Sequence, residues 1–256
     1  MSEQIFMKII DQIATISINR SEVLNALSKE IIDEMDEMIE SIKNNKDIRV
    51  LVFYSKDNFA AGADIKAMAK CNSKQAKEFV FTQTYNKIYD LSIPTIAAID
   101  GYAFGGGLEL ALTCDFRISS KNSKMGLTEL NLGIMPGAGG TVRLARIIGE
   151  SKAKEMIFLS KIVDGEEAEK IGLVNAAVEK EELYSTALRW GEKLKRKSSI
   201  SLAYAKKSIE NGICDTDIHS STNMESEIWA SLFDTYDQKE GRNAFIEKRK
   251  PKFLGK

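Results

Sequence analysis

Two glutamates stand where carboxylates are seldom found. Glu109 follows Gly105-Gly106-Gly107-Leu108 and is succeeded by Leu110, Ala111 and Leu112, and Glu129 sits between Met125-Gly126-Leu127-Thr128 and Leu130. Burying an unpaired carboxylate is costly and drives its pKa upward, toward the range in which a carboxyl gives or takes a proton near neutral pH. Glycines just before a helix let another group approach the backbone. They also leave the first helical N–H groups free to donate where the macrodipole is positive. That arrangement suits a developing negative oxygen. Glu109 comes three residues after Gly106, on the same helix face one turn in. Two further small-residue stretches, Phe59-Ala-Ala-Gly-Ala-Asp-Ile-Lys66 and Pro136-Gly-Ala-Gly-Gly-Thr141, again permit close backbone approach. Small-residue backbones with two buried acids are the parts needed to polarise a carbonyl while protons move beside it. Taken alone, the Glu109 stretch equally fits a buried glutamate paired with an arginine or capping a neighbour.

Other chemistries have little material. The only histidine, His219, lies in the polar run Asp217-Ile-His-Ser-Ser-Thr222 and reads as a solvated helix-start residue, so Ser-His-Asp catalysis and His-ligated metals are not indicated. Cys71, Cys114 and Cys214 lack C-x-x-C spacing, which argues against a disulfide framework or a zinc site and for a reducing, cytoplasmic setting. Cys71, Cys114 and Met68 read as packing residues. The glycines at 101, 105, 106 and 107 do not make G-x-G-x-x-G, and no P-loop lysine accompanies them. A formal charge of −1 gives no global pull toward nucleic acid or anionic lipid. The first eight residues lack a basic segment followed by an apolar core, and no apolar run approaches the ~20 residues that span a bilayer.

At 256 residues, 43% hydrophobic and 29% charged, the chain has the composition of an ordinary soluble globular protein and is long enough for one large α/β domain or a core with a smaller appendage. Residues 13–19 and the wholly apolar 50–54 read as strands. Between them Ile31, Ile32, Met35, Met38, Ile39 and Ile42 recur at helical spacing behind a Ser28 N-cap, which makes a βαβ unit. Residues 95–100 and 115–119 read as strands flanking a helix from Gly106 to Thr113. Asp164-Gly-Glu-Glu167 opens a helix that Gly172 ends, and beyond Val178 the periodicity is helical up to Pro251. The expected organisation is an α/β core over 1–195 and a helical module over 196–256.

In order along the chain, Asn19-Arg20 with Asn25-Ala-Leu27, Ala60-Ala-Gly-Ala-Asp-Ile65, Gly105-Gly-Gly-Leu-Glu109, Glu129, Pro136-Gly-Ala-Gly-Gly-Thr141 and Phe245-Ile-Glu-Lys-Arg-Lys250 resemble the crotonase (enoyl-CoA hydratase/isomerase) superfamily. The resemblance implies a crotonase-like spiral of ββα units whose helical C-terminal region assembles trimers or dimers of trimers. It implies an acyl-CoA thioester substrate, with coenzyme A as part of the substrate and neither a separate cofactor nor a metal. By the same resemblance the backbone N–H groups of Ala63 and Gly106 form an oxyanion hole for the thioester oxygen. Glu109 deprotonates the water attacking C3, Glu129 delivers the proton to C2, and Gly137 positions the water. Ala61, Gly62, Asp64 and Ile65 contact CoA, and Lys248 and Lys252 meet its phosphates.

The expected reaction is reversible syn addition of water to a trans-2-enoyl-CoA. Having both acids favours a hydratase over a Δ3,Δ2-isomerase. The residues around Glu109 and Glu129 are also similar to the methylglutaconyl-CoA hydratase branch, and the acyl pocket is expected around residues 68–81. The basic runs 193–197 and 248–252 leave one non-enzymatic rival, an RNA-binding protein on the same scaffold. Neither nucleic acid nor membrane is the expected partner.

Overall fold

The structure, a computed structural model, describes residues 4–69, 71–78 and 81–256. Its strands are β1 (Ile5–Ile10), β2 (Ile13–Ile18), β3 (Val50–Tyr54), β4 (Thr95–Ile99), β5 (Tyr102–Phe104), β6 (Phe116–Ser120), β7 (Lys124–Gly126), β8 (Val163–Asp164) and β9 (Ala176–Val178). The helices up to the middle of the chain are α1 (Lys29–Asn44), α2 (Ile65–Met68), α3 (Ser73–Glu78), α4 (Thr82–Tyr89), α5 (Gly106–Thr113) and α6 (Gly140–Ile148). They are followed by α7 (Glu150–Phe158), α8 (Gly165–Lys170), α9 (Lys180–Leu194), α10 (Ser199–Cys214), α11 (Ile218–Ser231) and α12 (Tyr236–Ile246).

Six strands form the main sheet in the order β1-β2-β3-β4-β6-β9, and β5-β7-β8 form a smaller one. Apart from the β1/β2 hairpin the main sheet is parallel. Parallel strands are covered on both faces, which is why Val50–Phe53 and the whole of β4 are apolar or small and buried. The connection from β2 to β3 is α1. Ser28 accepts the Ile31 N–H at its N-terminus, and Ile31, Ile32, Met35, Ile39 and Ile42 form its buried stripe.

The spiral shows in how the two sheets share the chain. A strand of the main sheet passes to a short strand of the small sheet and then into a helix, as in β4, β5, α5. The turn before repeats this pattern, with β3 followed by Ala60, which bridges Ala103 in parallel, and then by α2. In the turn after, β6 leads to β7, which pairs with β5 in parallel. Successive turns therefore stack their strands edge to edge in both sheets. The chain divides into two compact units, residues 4–91 with Thr95–Gly191, and Ser92–Pro94 with Glu192–Lys256. The first contains both sheets. Within the second, α10 packs on α11, and buried Asp237 of α12 accepts the N–H groups of Leu254 and Gly255.

Candidate active site

The first turn of α5 is set by contact with the preceding spiral turn. All eight α5 residues are buried. A side chain on Gly107 would begin 2.0 Å from the Ala60 carbonyl oxygen, so only glycine lets the helix lie against the segment after β3. Gly106 is the first helical residue, and its N–H has no intrahelical acceptor. Its carbonyl accepts the phenol of fully buried Tyr85 from α4 at 2.7 Å, and Phe81 packs on its Cα side.

The second backbone donor comes from the loop after β3. Leu27 and Ala63 form a parallel bridge in which the Leu27 N–H reaches the Gly62 carbonyl (2.8 Å) and the Asp64 N–H reaches the Leu27 carbonyl (2.9 Å). Ala63's own N–H takes part in neither bond. A Cβ built on Gly62 would stand 3.8 Å from the Gly106 nitrogen, which puts the two loops side by side. Arg20 and Asn25 account for the motif that carries them. Asn25 accepts the Arg20 N–H and donates to the Asn58 carbonyl, while Arg20 donates to the Ala26 carbonyl and lies 3.7 Å from Asp64. Together they fix the segment that presents Leu27 to Ala63. The Asp64 carboxylate also caps α2 through the N–H groups of Lys66 and Ala67. Ala61 is half-buried, Gly62 buried and Ile65 exposed.

Glu109 is 4% exposed, and its Oε1 accepts two backbone N–H bonds, from Ala138 and Gly140, each at 2.8 Å. It therefore does cap a neighbour, the N-terminus of α6. Both bonds fall on one oxygen, and Oε2 has no donor among the described residues. Burial pushes the Glu109 carboxyl up, and the two N–H groups and the Arg143 guanidinium pull against that shift. Glu129 opens a 3-10 helix, Glu129–Leu132, just after β7. Its Oε1 lies over Gly105, where a Cβ would come within 3.1 Å, and its Oε2 is buried without a hydrogen-bond partner. Burial raises its pKa to about 7, its own backbone N–H opposes that shift, and the nearby Glu109 charge adds a smaller upward push.

The structure thus brings Ala63, Gly106, Glu109 and Glu129 into one neighbourhood of the first unit. Gly137 is exposed on the turn before α6, its carbonyl accepting the Thr82 hydroxyl at 3.2 Å. Within the expected acyl pocket, Lys70, Phe79 and Val80 lie outside the described residues. Lys248 and Lys252 belong to the second unit. Both are exposed, and the Lys252 N–H is held by Glu240 at 2.7 Å.

The sequence reading missed the two N–H groups that hold Glu109, as well as Tyr85 and Arg143. A small-residue turn leading into the amphipathic α6 was the available signal for the first pair. Nothing local marked the others. Elsewhere, His219 is exposed at the start of α11, its N–H taken by Asp217. Among the described residues no cluster of three His, Cys, Asp or Glu could hold a metal, and no helix is long and apolar enough to cross a membrane.

The chain has counterparts among known proteins. The profile of the enoyl-CoA hydratase/isomerase family matches residues 8–256. The chain is 38% identical over 243 residues to the short-chain-enoyl-CoA hydratase of Clostridium acetobutylicum, covering 93% of each chain. It is 39% identical over 251 residues to the mitochondrial methylglutaconyl-CoA hydratase of Mus musculus, covering 95% of this chain and 80% of that one. The crystal structure of an enoyl-CoA hydratase from Bacillus anthracis superposes with a TM-score of 0.95 at 37% identity, covering 99% of this chain and 100% of that one. The chain belongs to the enoyl-CoA hydratase/isomerase family of enzymes, the crotonases, and has their α/β spiral fold with C-terminal helices.

Proposed function

We propose that this crotonase hydrates a trans-2-enoyl-CoA to the 3-hydroxyacyl-CoA. The observation that carries the reading is the pairing of two differently held acids beside two unspent backbone donors. Glu109 has one oxygen fixed by Ala138 and Gly140, and Glu129 has a buried oxygen with no partner. In this reading the thioester oxygen accepts hydrogen bonds from the Ala63 and Gly106 N–H groups, which stabilise the enolate-like state as charge develops. Ionised Glu109 takes a proton from water through Oε2 while the water oxygen bonds to C3. Protonated Glu129 gives its proton to C2, and the C2=C3 double bond becomes a single bond. Both acids act from one side, which gives syn addition. The Gly137 N–H steadies the water.

The CoA moiety runs past Ala61, Gly62, Asp64 and Ile65. The Asp64 carboxylate is committed to α2 and its N–H to the Leu27 carbonyl, so that residue borders the CoA by contact rather than by donating a hydrogen bond. Lys248 and Lys252 meet the phosphates, the protein assembles as a trimer, and no cofactor beyond the CoA of the substrate is required.

Relatives named for short-chain and for methylglutaconyl substrates are similarly close in identity, so both acyl groups belong in the test. Crotonyl-CoA and 3-methylglutaconyl-CoA are each mixed with the protein, and loss of the conjugated enoyl-thioester absorbance is followed. Wild type hydrates at least one of them, and Glu109→Gln or Glu129→Gln lowers kcat by about 10²- to 10⁴-fold, the usual worth of a positioned acid or base. Hydration by Glu109→Gln at the wild-type rate would sink the mechanism. A Δ3-enoyl-CoA in the same assay separates hydration from isomerisation.

A further inference from the structure

Arg143 is placed against the grain of its helix. It lies in the first turn of α6, where a cation opposes the macrodipole, and it is half-buried. Its side chain nevertheless folds back over the turn before the helix. Nη1 donates to the Ala138 carbonyl at 2.9 Å, Nη2 donates to the Asn86 side-chain oxygen at 2.7 Å, and the guanidinium carbon stands 5.3 Å from the centre of the Tyr89 ring. Gly139, at φ +102°, makes room for it, since a Cβ there would sit 2.0 Å from Nη1. The contacts to α4 and to the turn define one pose. Ala138 is held from both sides, its carbonyl by Arg143 and its N–H by Glu109.

We propose that Arg143 is a positioning residue for Glu109. Its guanidinium clamps Ala138 against α4 so that the Ala138 and Gly140 N–H groups converge on Oε1 and leave Oε2 to face water. The inference rests on reading Glu109 as the base.

The titratable groups that bear on Glu109 are Arg143 from α6, Tyr85 from α4 and Glu129 from the 3-10 helix. Tyr85 is held neutral by burial, and Glu129 is the proton donor. Arg143 is thus the cation favouring ionised Glu109, and its loss moves the acid limb of the rate profile upward.

The test uses full-length Arg143→Met, Arg143→Lys and Asn86→Ala with crotonyl-CoA, reading kcat, KM and the pH dependence of kcat/KM. Arg143→Met loses about 10-fold or more in kcat, as misplaced catalytic groups do, with KM within about threefold of wild type. Its acid limb moves to higher pH, because the cation that favours ionised Glu109 is gone. Arg143→Lys returns the acid limb to the wild-type position but keeps part of the kcat loss, because an ammonium lacks the planar fork that bridges Ala138 and Asn86. Asn86→Ala lowers kcat less and leaves the acid limb in place.

Should Arg143→Met fail to fold by circular dichroism, wild-type kcat in both Arg143→Lys and Asn86→Ala overturns the proposal. A folded Arg143→Met with wild-type kcat and an unmoved acid limb also overturns it, as does an equal kcat loss in Met and Lys variants with neither acid limb moved. If wild type hydrates neither enoyl-CoA, the reading of Glu109 itself fails, and this inference fails with it.

Discussion

Glu129 keeps a buried oxygen without a hydrogen-bond donor, and its carboxyl titrates at about 7, with burial the largest cause. Glu109 is also raised from 4.5, but its N–H partners and Arg143 oppose the shift. At the residue scale the environment separates two chemically identical groups, one ready to accept a proton and one still holding its own. The expected profile of kcat/KM is a bell. Activity falls on the acid side as Glu109 takes up a proton, at a pH above the ordinary 4.5, and falls on the alkaline side near pH 7 as Glu129 loses its proton. Stopped-flow hydration from pH 4 to 10 checks this, and a flat rate between pH 6 and 9 contradicts it.

The same shift has a stability sign. Unfolded Glu129 ionises at 4.5 and folded Glu129 at about 7, so the penalty for burying its charge grows as pH rises through that window and is complete above 7. Glu129→Gln removes the penalty. Its gain in Tm over wild type is therefore larger at pH 8 than at pH 5, as differential scanning calorimetry would record.

At the element scale, α5 works as a plug whose position is set by a glycine contact. Gly107→Ala drives a Cβ to 2.0 Å from the Ala60 carbonyl oxygen and pushes the helix, with Gly106 and Glu109, away from the neighbouring loop. The expected cost is about 1–3 kcal/mol or more in urea unfolding, together with loss of hydration. Gly212, inside α10, offers the contrast. A Cβ there meets nothing within 4 Å, so Gly212→Ala stabilises by about 0.5–1 kcal/mol and leaves activity unchanged.

The elements legible in the sequence were those with a long period or a cap. They include α1 with its Ser28 cap, the uniformly apolar β3 and β4, α5 from Gly106 to Thr113, and α8 behind Asp164. The expected strand from Asp115 begins one residue later, because the Asp115 carboxylate turns back to the Thr95 N–H and hydroxyl. The small sheet escaped notice. β5 and β7 are three residues each, too short for alternation to register, and they exist because the spiral stacks one turn on the next.

At the scale of the whole molecule, the second unit exposes apolar side chains that water does not favour. Ile209, Ile213, Ile218, Trp229, Phe245 and Ile246 are each more than half exposed in the single chain. That much apolar surface fits the proposed assembly. Analytical ultracentrifugation is expected to give the mass of three chains or a multiple of it, and a monomer at micromolar concentration would contradict the proposal. The basic run at 193–197 is partly spent internally, since Lys195 and Arg196 both pair with Glu192, and Arg249 of the second run pairs with Glu240 and Glu247. Steeply salt-dependent RNA binding that survives Glu109→Gln with Glu129→Gln would revive the scaffold reading. The expected result in a filter-binding assay is no retention at physiological salt.

The sequence by itself determined that two acids would lie among apolar neighbours, that glycines would open the helix bearing one of them, and that these motifs in this order resemble the crotonases. Such properties are local, being composition, periodicity and spacing along one segment. Only the tertiary structure decided what each acid meets. Glu109 finds the Ala138 and Gly140 N–H groups about thirty residues on, while Glu129 is left with an unpartnered oxygen. A pKa depends on burial and on the charges and dipoles that converge in space, and these come from segments that no sequence window contains together.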